Sequence, residues 1–254
     1  MTAPVMSGAE PLSATGGEEG VLVLHGFTGN PFEMRPLAER LAADGLSVEL
    51  PRLPGHGTSL DDLVPLGFGD WSAAAEGALV DLGARCRAVA VVGLSMGGTL
   101  ACWLAERHPE IVGLVLVNPL VEPPGAELRD AVTGLLDTGE VMPGIGDDVA
   151  DPSVTAKPSY PGTPLRALLS LFDAVESVSA DLGSIECPVL LFTSRQDHVV
   201  PTSNSDLLAD RVAGPVERVW LDASYHVATI DYDRDEIERR TVAFVAQLFA
   251  GAVR

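Results

Sequence analysis

Lysine is nearly missing from these 254 residues: Lys157 is the only one. Sixteen Lys and Arg stand against 36 Asp and Glu, a formal net charge of −20 at pH 7. Phosphate backbones and anionic lipid surfaces are gripped by basic side chains, so this balance excludes nucleic acid as a partner and argues against membrane-surface binding. The surplus acid reads as solvated surface that aids solubility, and an anionic substrate would need a local arginine.

Long apolar runs are also missing. No stretch of 18 or more apolar residues occurs, so no transmembrane helix and no stable membrane anchor are expected. Residues 1–19 (MTAPVMSGAEPLSATGGEE) lack the basic start and apolar run of a secretory leader, and their Gly, Ala, Ser and Glu content reads as a poorly ordered tail. Cysteine is scarce and odd in number: Cys86, Cys102 and Cys187, with no CxxC spacing. That excludes a disulfide framework and predicts buried, reduced thiols in a cytoplasmic protein. HExxH, EF-hand and paired His/Cys patterns are absent, and no Walker or dinucleotide glycine pattern follows a strand. Neither metal nor cofactor is expected.

What remains is ample core material, with 46% hydrophobic residues arranged as short apolar runs alternating with helical periods. Residues 20–25 (GVLVLH), 46–50, 88–93 (AVAVVG), 113–118 (GLVLVN), 188–194 (PVLLFTS) and 216–222 (VERVWLD) read as strands, most of them buried on both faces. Helices are predicted over 32–43, 71–85, 97–107, 202–212 and 235–249, the last burying Ile237, Val242, Val245 and Leu248. Strand–helix alternation implies an α/β fold with a mostly parallel central sheet and helices on both faces. The core is expected over 20–119 and 184–254. Residues 120–183 break the alternation, with scattered Pro, Gly and acids and no buried strand. Leu165, Leu168, Leu169 and Phe172 there mark a short amphipathic helix, and a long insertion between core strands reads as a small cap.

The chemistry gathers at strand ends. Gly93-Leu94-Ser95-Met96-Gly97 is a G-x-S-x-G between a buried strand and a small-residue helix, the context of a nucleophile elbow. His25-Gly26-Phe27-Thr28-Gly29 follows the first buried strand, where a loop supplies one amide of an oxyanion hole; the second comes from the residue after the nucleophile. The candidate donors are therefore the amides of Phe27 and Met96. A serine hydroxyl needs a base. Of five histidines, His226 lies after the last strand and before the last helix, where the final member of a Ser…Asp…His order belongs. His108 reads as surface, His25 and His56 as turn and rim residues. Asp197, just past the strand PVLLFTS, is the candidate acid; Asp222 sits too close to His226, and Asp231 reads as a cap of the terminal helix.

The set HGFTGN, PGHG, Asp70-Trp71, GLSMGG, DHVVP and SYHVATID resembles the small bacterial carboxylesterases and monoacylglycerol lipases of the α/β-hydrolase superfamily, over about residues 20–249. The resemblance implies the α/β-hydrolase fold with a short cap. It also implies hydrolysis of short- to medium-chain acyl esters, monoacylglycerols included, by Ser95, Asp197 and His226 with oxyanion donors Phe27 and Met96. The expected partner is a small-molecule acyl ester. An acyltransferase, thioesterase or carbon–carbon hydrolase on the same three residues is the rival enzyme reading. A non-catalytic ligand-binding protein on the same scaffold is the rival of another class. Oligomeric state is open at this level.

Overall fold

Successive residues of one strand feed two separate cores. In β2 (Glu19–Leu24), Val21 and Val23 enter one apolar cluster while Leu22 and Leu24 enter the other. A sheet covered on both faces demands this, because side chains alternate across a strand. The computed structural model describes residues 3–144, 148–154 and 158–252; Lys157 lies outside the described residues.

The chain continues as α1 (Arg35–Ala43), β3 (Ser47–Leu50), α2 (Leu60–Leu63), α3 (Phe68–Gly83), β4 (Ala88–Leu94), α4 (Met96–Ala105) and β5 (Ile111–Val117). Then come α5 (Ala126–Leu135), β6 (Val141–Pro143), β7 (Gly162–Pro164), α6 (Leu165–Asp181), β8 (Val189–Ser194), α7 (Ser203–Arg211), β9 (Val216–Leu221) and α8 (Arg234–Ala252). A seven-stranded sheet, order β1-β3-β2-β4-β5-β8-β9, is parallel except for its first strand, β1 (Leu12–Ala14).

One face is covered by α1 and α8. Leu37, Ala38 and Leu41 of α1 meet Ile237, Val245 and Phe249 of α8, with Val242 and Leu248 partly buried beside them. The other face carries α3, α4 and α6, with Trp71 fully buried. Each Leu or Val removed from water in these clusters contributes roughly 1.5–3 kcal/mol. Helix α1 ends where the sequence places its stop. Gly45 has φ +91°, its amide donates to Ala42 O at 3.0 Å, and Leu46 donates to Leu41 O at 3.3 Å. That pairing closes a helix with a left-handed residue, and glycine adopts it without a Cβ clash.

Two expectations need correction. Part of the segment read as a loose tail is built into the fold: β1 pairs antiparallel with β3, Leu12 opposite Leu50, and Ala9 is fully buried. Three residues after a proline carry no periodic signal; their order comes from the free edge of β3. Residues 120–183, read without buried strands, contain the β6–β7 pair, of which β7 is buried.

Within that insertion, α6 has two apolar faces and is longer than the short helix expected. Leu165 and Phe172, with Leu168 and Leu169, join Val132 and Met142 in a small cluster of their own. Ala167, Leu171, Val175 and Val178 join the main core. The insertion is tied to the core by Tyr160, whose hydroxyl accepts from Thr58 N at 2.9 Å and donates to Gly55 O at 2.7 Å.

Candidate active site

Ser95 stands between the end of β4 and the first turn of α4 with φ 54° and ψ −117°, a conformation few side-chain-bearing residues adopt. Gly97 explains how the turn fits: a Cβ there would lie 2.2 Å from Leu24 O. The other two non-glycine residues with positive φ among those described are Thr28 and Asn118. All three sit just beyond the carboxyl ends of β2, β4 and β5, so backbone strain is concentrated at one edge of the sheet, as it often is at functional sites.

His226 and Asp197 follow β9 and β8. Nδ1 of His226 lies 2.8 Å from Oδ2 of Asp197, with only 8% and 2% of the two side chains exposed. A carboxylate only accepts, so Nδ1 carries the hydrogen and Nε2 is left with its lone pair. Oδ1 of Asp197 accepts from the amides of Val199 and Val200, each at 2.8 Å, which fixes the carboxylate independently of the imidazole. Ser95 and His226 line one cavity of about 460 Å³ together with Gly26, Phe27 and Thr28. The loop and the serine nearly touch, since a Cβ on Gly26 would lie 3.6 Å from Ser95 Cβ. The rest of the wall is largely apolar, from Leu128, Val132, Met142, Leu168, Phe172 and Val175 of the insertion.

His25 and His56 are not rim residues: both are fully buried, although His56 closes a turn by donating from its amide to Leu53 O at 3.1 Å. His25 Nε2 accepts from Leu53 N at 3.1 Å, so its Nδ1 donates to Gly26 O at 2.9 Å. Burial pushes the His25 pKa down to about 4, and His56 is likewise held well below its ordinary value. His56 packs against His25, Phe27 and Trp71 with ring centroids 5.0, 6.2 and 5.4 Å away. The HGFTG, PGHG and Asp70-Trp71 segments therefore pack against one another through His25, Phe27, His56 and Trp71. His108 bridges Glu76 and Glu110 away from the cavity.

Asp222 is exposed and paired with Arg195. Asp231 does not cap α8 through its side chain. It is fully buried and accepts from the amides of Ala150, Asp151, Tyr225 and Tyr232, which ties the insertion to the His226 loop. Sequence reasoning missed Asn118. Its Nδ2 donates to His226 O at 2.8 Å and to Ser194 Oγ at 2.9 Å, and its Oδ1 accepts from Ser194 N at 2.8 Å. Its only local signal is a polar residue ending an apolar strand. Among the described residues no group of three or more His, Cys, Asp or Glu is arranged to hold a metal ion. None of the described helices is long and apolar enough to cross a membrane.

Residues 21–240 match the family described as the alpha/beta hydrolase family. The chain is 44% identical over 245 residues to a thermostable monoacylglycerol lipase of Bacillus sp. (strain H-257), covering 96% of this chain and 97% of that one. It is 26% identical over 242 residues to a carboxylesterase of Bacillus subtilis (strain 168), covering 94% and 97%. A solved structure from work on LipS and LipT, two metagenome-derived lipolytic enzymes, superposes with a TM-score of 0.91 at 38% identity, over 96% of this chain and all of that one.

Proposed function

Because the chain belongs to the alpha/beta hydrolase family and is an ester hydrolase by its relatives, we propose that it cleaves short- to medium-chain acyl esters, monoacylglycerols among them, through Ser95, His226 and Asp197. The observation that carries this reading is the 2.8 Å contact between His226 Nδ1 and Asp197 Oδ2, with His226 lining the same cavity as Ser95. It leaves Nε2 of the imidazole as the acceptor for the serine proton.

The reaction runs in two halves. Ser95 Oγ attacks the ester carbonyl carbon while His226 takes the hydroxyl proton, and the amides of Phe27 and Met96 receive the oxyanion. The tetrahedral species collapses, the C–O bond to the alcohol breaks, and the alcohol leaves with the proton from His226. Water then attacks the acyl-enzyme by the same route and releases the acid and the free serine. Asp197 holds the imidazole in the accepting tautomer and stabilises the imidazolium.

We read residues 120–183 as a cap. This is supported by its contribution of Leu128, Val132, Met142, Leu168, Phe172 and Val175 to the cavity wall. An acyl chain laid against those side chains gains roughly 0.8 kcal/mol per buried methylene until the space is filled. The cavity has room for a medium chain and a small alcohol. The three cysteines are unpaired, and burial raises the pKa of Cys102 well above its ordinary value and that of Cys187 to about 11. Unpaired cysteines support a reducing compartment such as the cytoplasm.

The test is a chain-length series with p-nitrophenyl esters, monoacylglycerols and acyl-CoA thioesters. The reading expects kcat/KM to rise from acetyl to a medium-chain maximum on both ester types. A preference for the thioesters, or a flat series, contradicts it.

A further inference from the structure

The loops that carry Asp197 and His226 are held from two sides, and the two sides belong to different parts of the chain. From the core, Asn118 Nδ2 donates to His226 O at 2.8 Å and Ser194 Oγ donates to Tyr225 O at 2.8 Å. From the insertion, Asp148 reaches both loops at once. Its Oδ2 accepts from His226 N and from His198 N, each at 3.1 Å. Its Oδ1 accepts from Nδ1 of His198 at 2.8 Å, and its carbonyl accepts from Val227 N at 3.0 Å.

We propose that Asp148 is a positioning residue of the insertion: it fastens the acid loop to the base loop, so that His226 reaches its working position only with the insertion docked. The inference rests on the assignment of His226 as the base.

Three features support it. Asp148 has only 14% of its side chain exposed, and its bond to the His226 amide is partly buried, while His198 on the other side is exposed. Its acceptors are aimed at backbone N–H groups of His226 and of the residue after Asp197, which set where those side chains emerge. His198, its hydrogen-bonding partner, packs edge-on against Tyr225 with centroids 4.5 Å apart, so the ring also braces the residue before His226. The partnership with His198 and the two amides keeps the Asp148 carboxyl below the usual carboxylate range against the opposing effect of burial. Asp148 also lines the cavity, so a direct role in holding substrate is the alternative. The two roles differ in kinetics: misplacing a base by about 1 Å costs up to about 100-fold in kcat, whereas a lost substrate contact raises KM.

The experiment compares Asp148→Leu and Asp148→Asn with the wild type and with His226→Ala, on one medium-chain ester, with the thermal midpoint of each recorded. Leucine keeps the bulk and accepts nothing. Asparagine can reproduce the pattern, with Oδ1 taking both amides and Nδ2 donating to neutral His198. The proposal expects Asp148→Leu to lose about 30- to 100-fold in kcat with KM within about 3-fold, and to be labelled by a fluorophosphonate correspondingly slowly. It expects Asp148→Asn to fold and to recover kcat to within about 5-fold of wild type, on the same reasoning. An unchanged kcat in Asp148→Leu overturns the proposal, as does a rise in KM alone. If Asp148→Leu does not fold, the asparagine variant decides: a kcat loss as large as 30-fold at wild-type stability contradicts the account. Activity retained in His226→Ala would instead overturn the assignment of the base, whatever the Asp148 variants do.

Discussion

Asp197 meets His226 at 2.8 Å while its second oxygen is bound by two amides of its own loop, so the carboxylate has an anchor independent of the imidazole. Replacing it by asparagine separates these two jobs. In Asp197→Asn the side-chain oxygen can still accept from Val199 and Val200. The amide nitrogen then faces Nδ1 and forces the hydrogen onto Nε2, the wrong tautomer for a base. The expected result is a loss of about 10⁴ in kcat with a near-normal thermal midpoint, measured on a p-nitrophenyl ester.

The apolar wall of the cavity sets the accessible chain length. Leu168 lines it from α6 and is packed beside Val132 and Phe172. Leu168→Trp should shut out the far methylenes and leave acetyl esters little affected. Exclusion of three methylenes amounts to about 50-fold in relative kcat/KM, at roughly 0.8 kcal/mol each. The ratio of octanoate to acetate hydrolysis reads it directly.

Asp231 is a buried carboxylate bonded to four amides across the insertion and the His226 loop. Asp231→Ala strands those donors. A loss of about 3 kcal/mol or more in unfolding free energy is expected, with activity falling alongside. Urea unfolding of the variant beside the wild type checks the magnitude.

His25 makes stability depend on pH with a definite sign. Its folded-state pKa is about 4 against an ordinary 6.5, because burial disfavours the cation. Above pH 6.5 it is neutral in both states and contributes nothing to the pH dependence. Below that value the unfolded chain binds the proton first, so stability falls from about pH 6.5 to pH 4, by up to roughly 3 kcal/mol from this residue. His56, lowered by the same cause, acts in the same direction. The His25 imidazole should show no NMR titration between pH 8 and pH 5. A midpoint near 6.5 contradicts the burial argument.

The strands and the elbow are legible in the sequence because both are local. Doubly buried strands write themselves as unbroken apolar runs, and Gly93 to Gly97 sits between such a run and a helix. His226 and Asp197 are legible through their place after particular strands. What escapes is decided by distant partners. Asn118 and Asp148 lie 108 and 78 residues from the His226 backbone they hold, and nothing in their neighbourhoods announces it. The histidines of HGFTG and PGHG look like turn residues locally; it is the packing of Phe27 and Trp71 on His56, and of His56 on His25, that makes them core. Strand β1 exists because β3 offers an open edge.

The central claim is that esters pass through a covalent acyl derivative of Ser95, formed with His226 as the base. It is tested most directly by quenching the enzyme with a slow medium-chain ester in the first turnover and mapping the adduct by peptide mass spectrometry. The account predicts one acyl group on the peptide containing Ser95, and none in His226→Ala. Ester turnover at the wild-type rate with no adduct on Ser95 would contradict it.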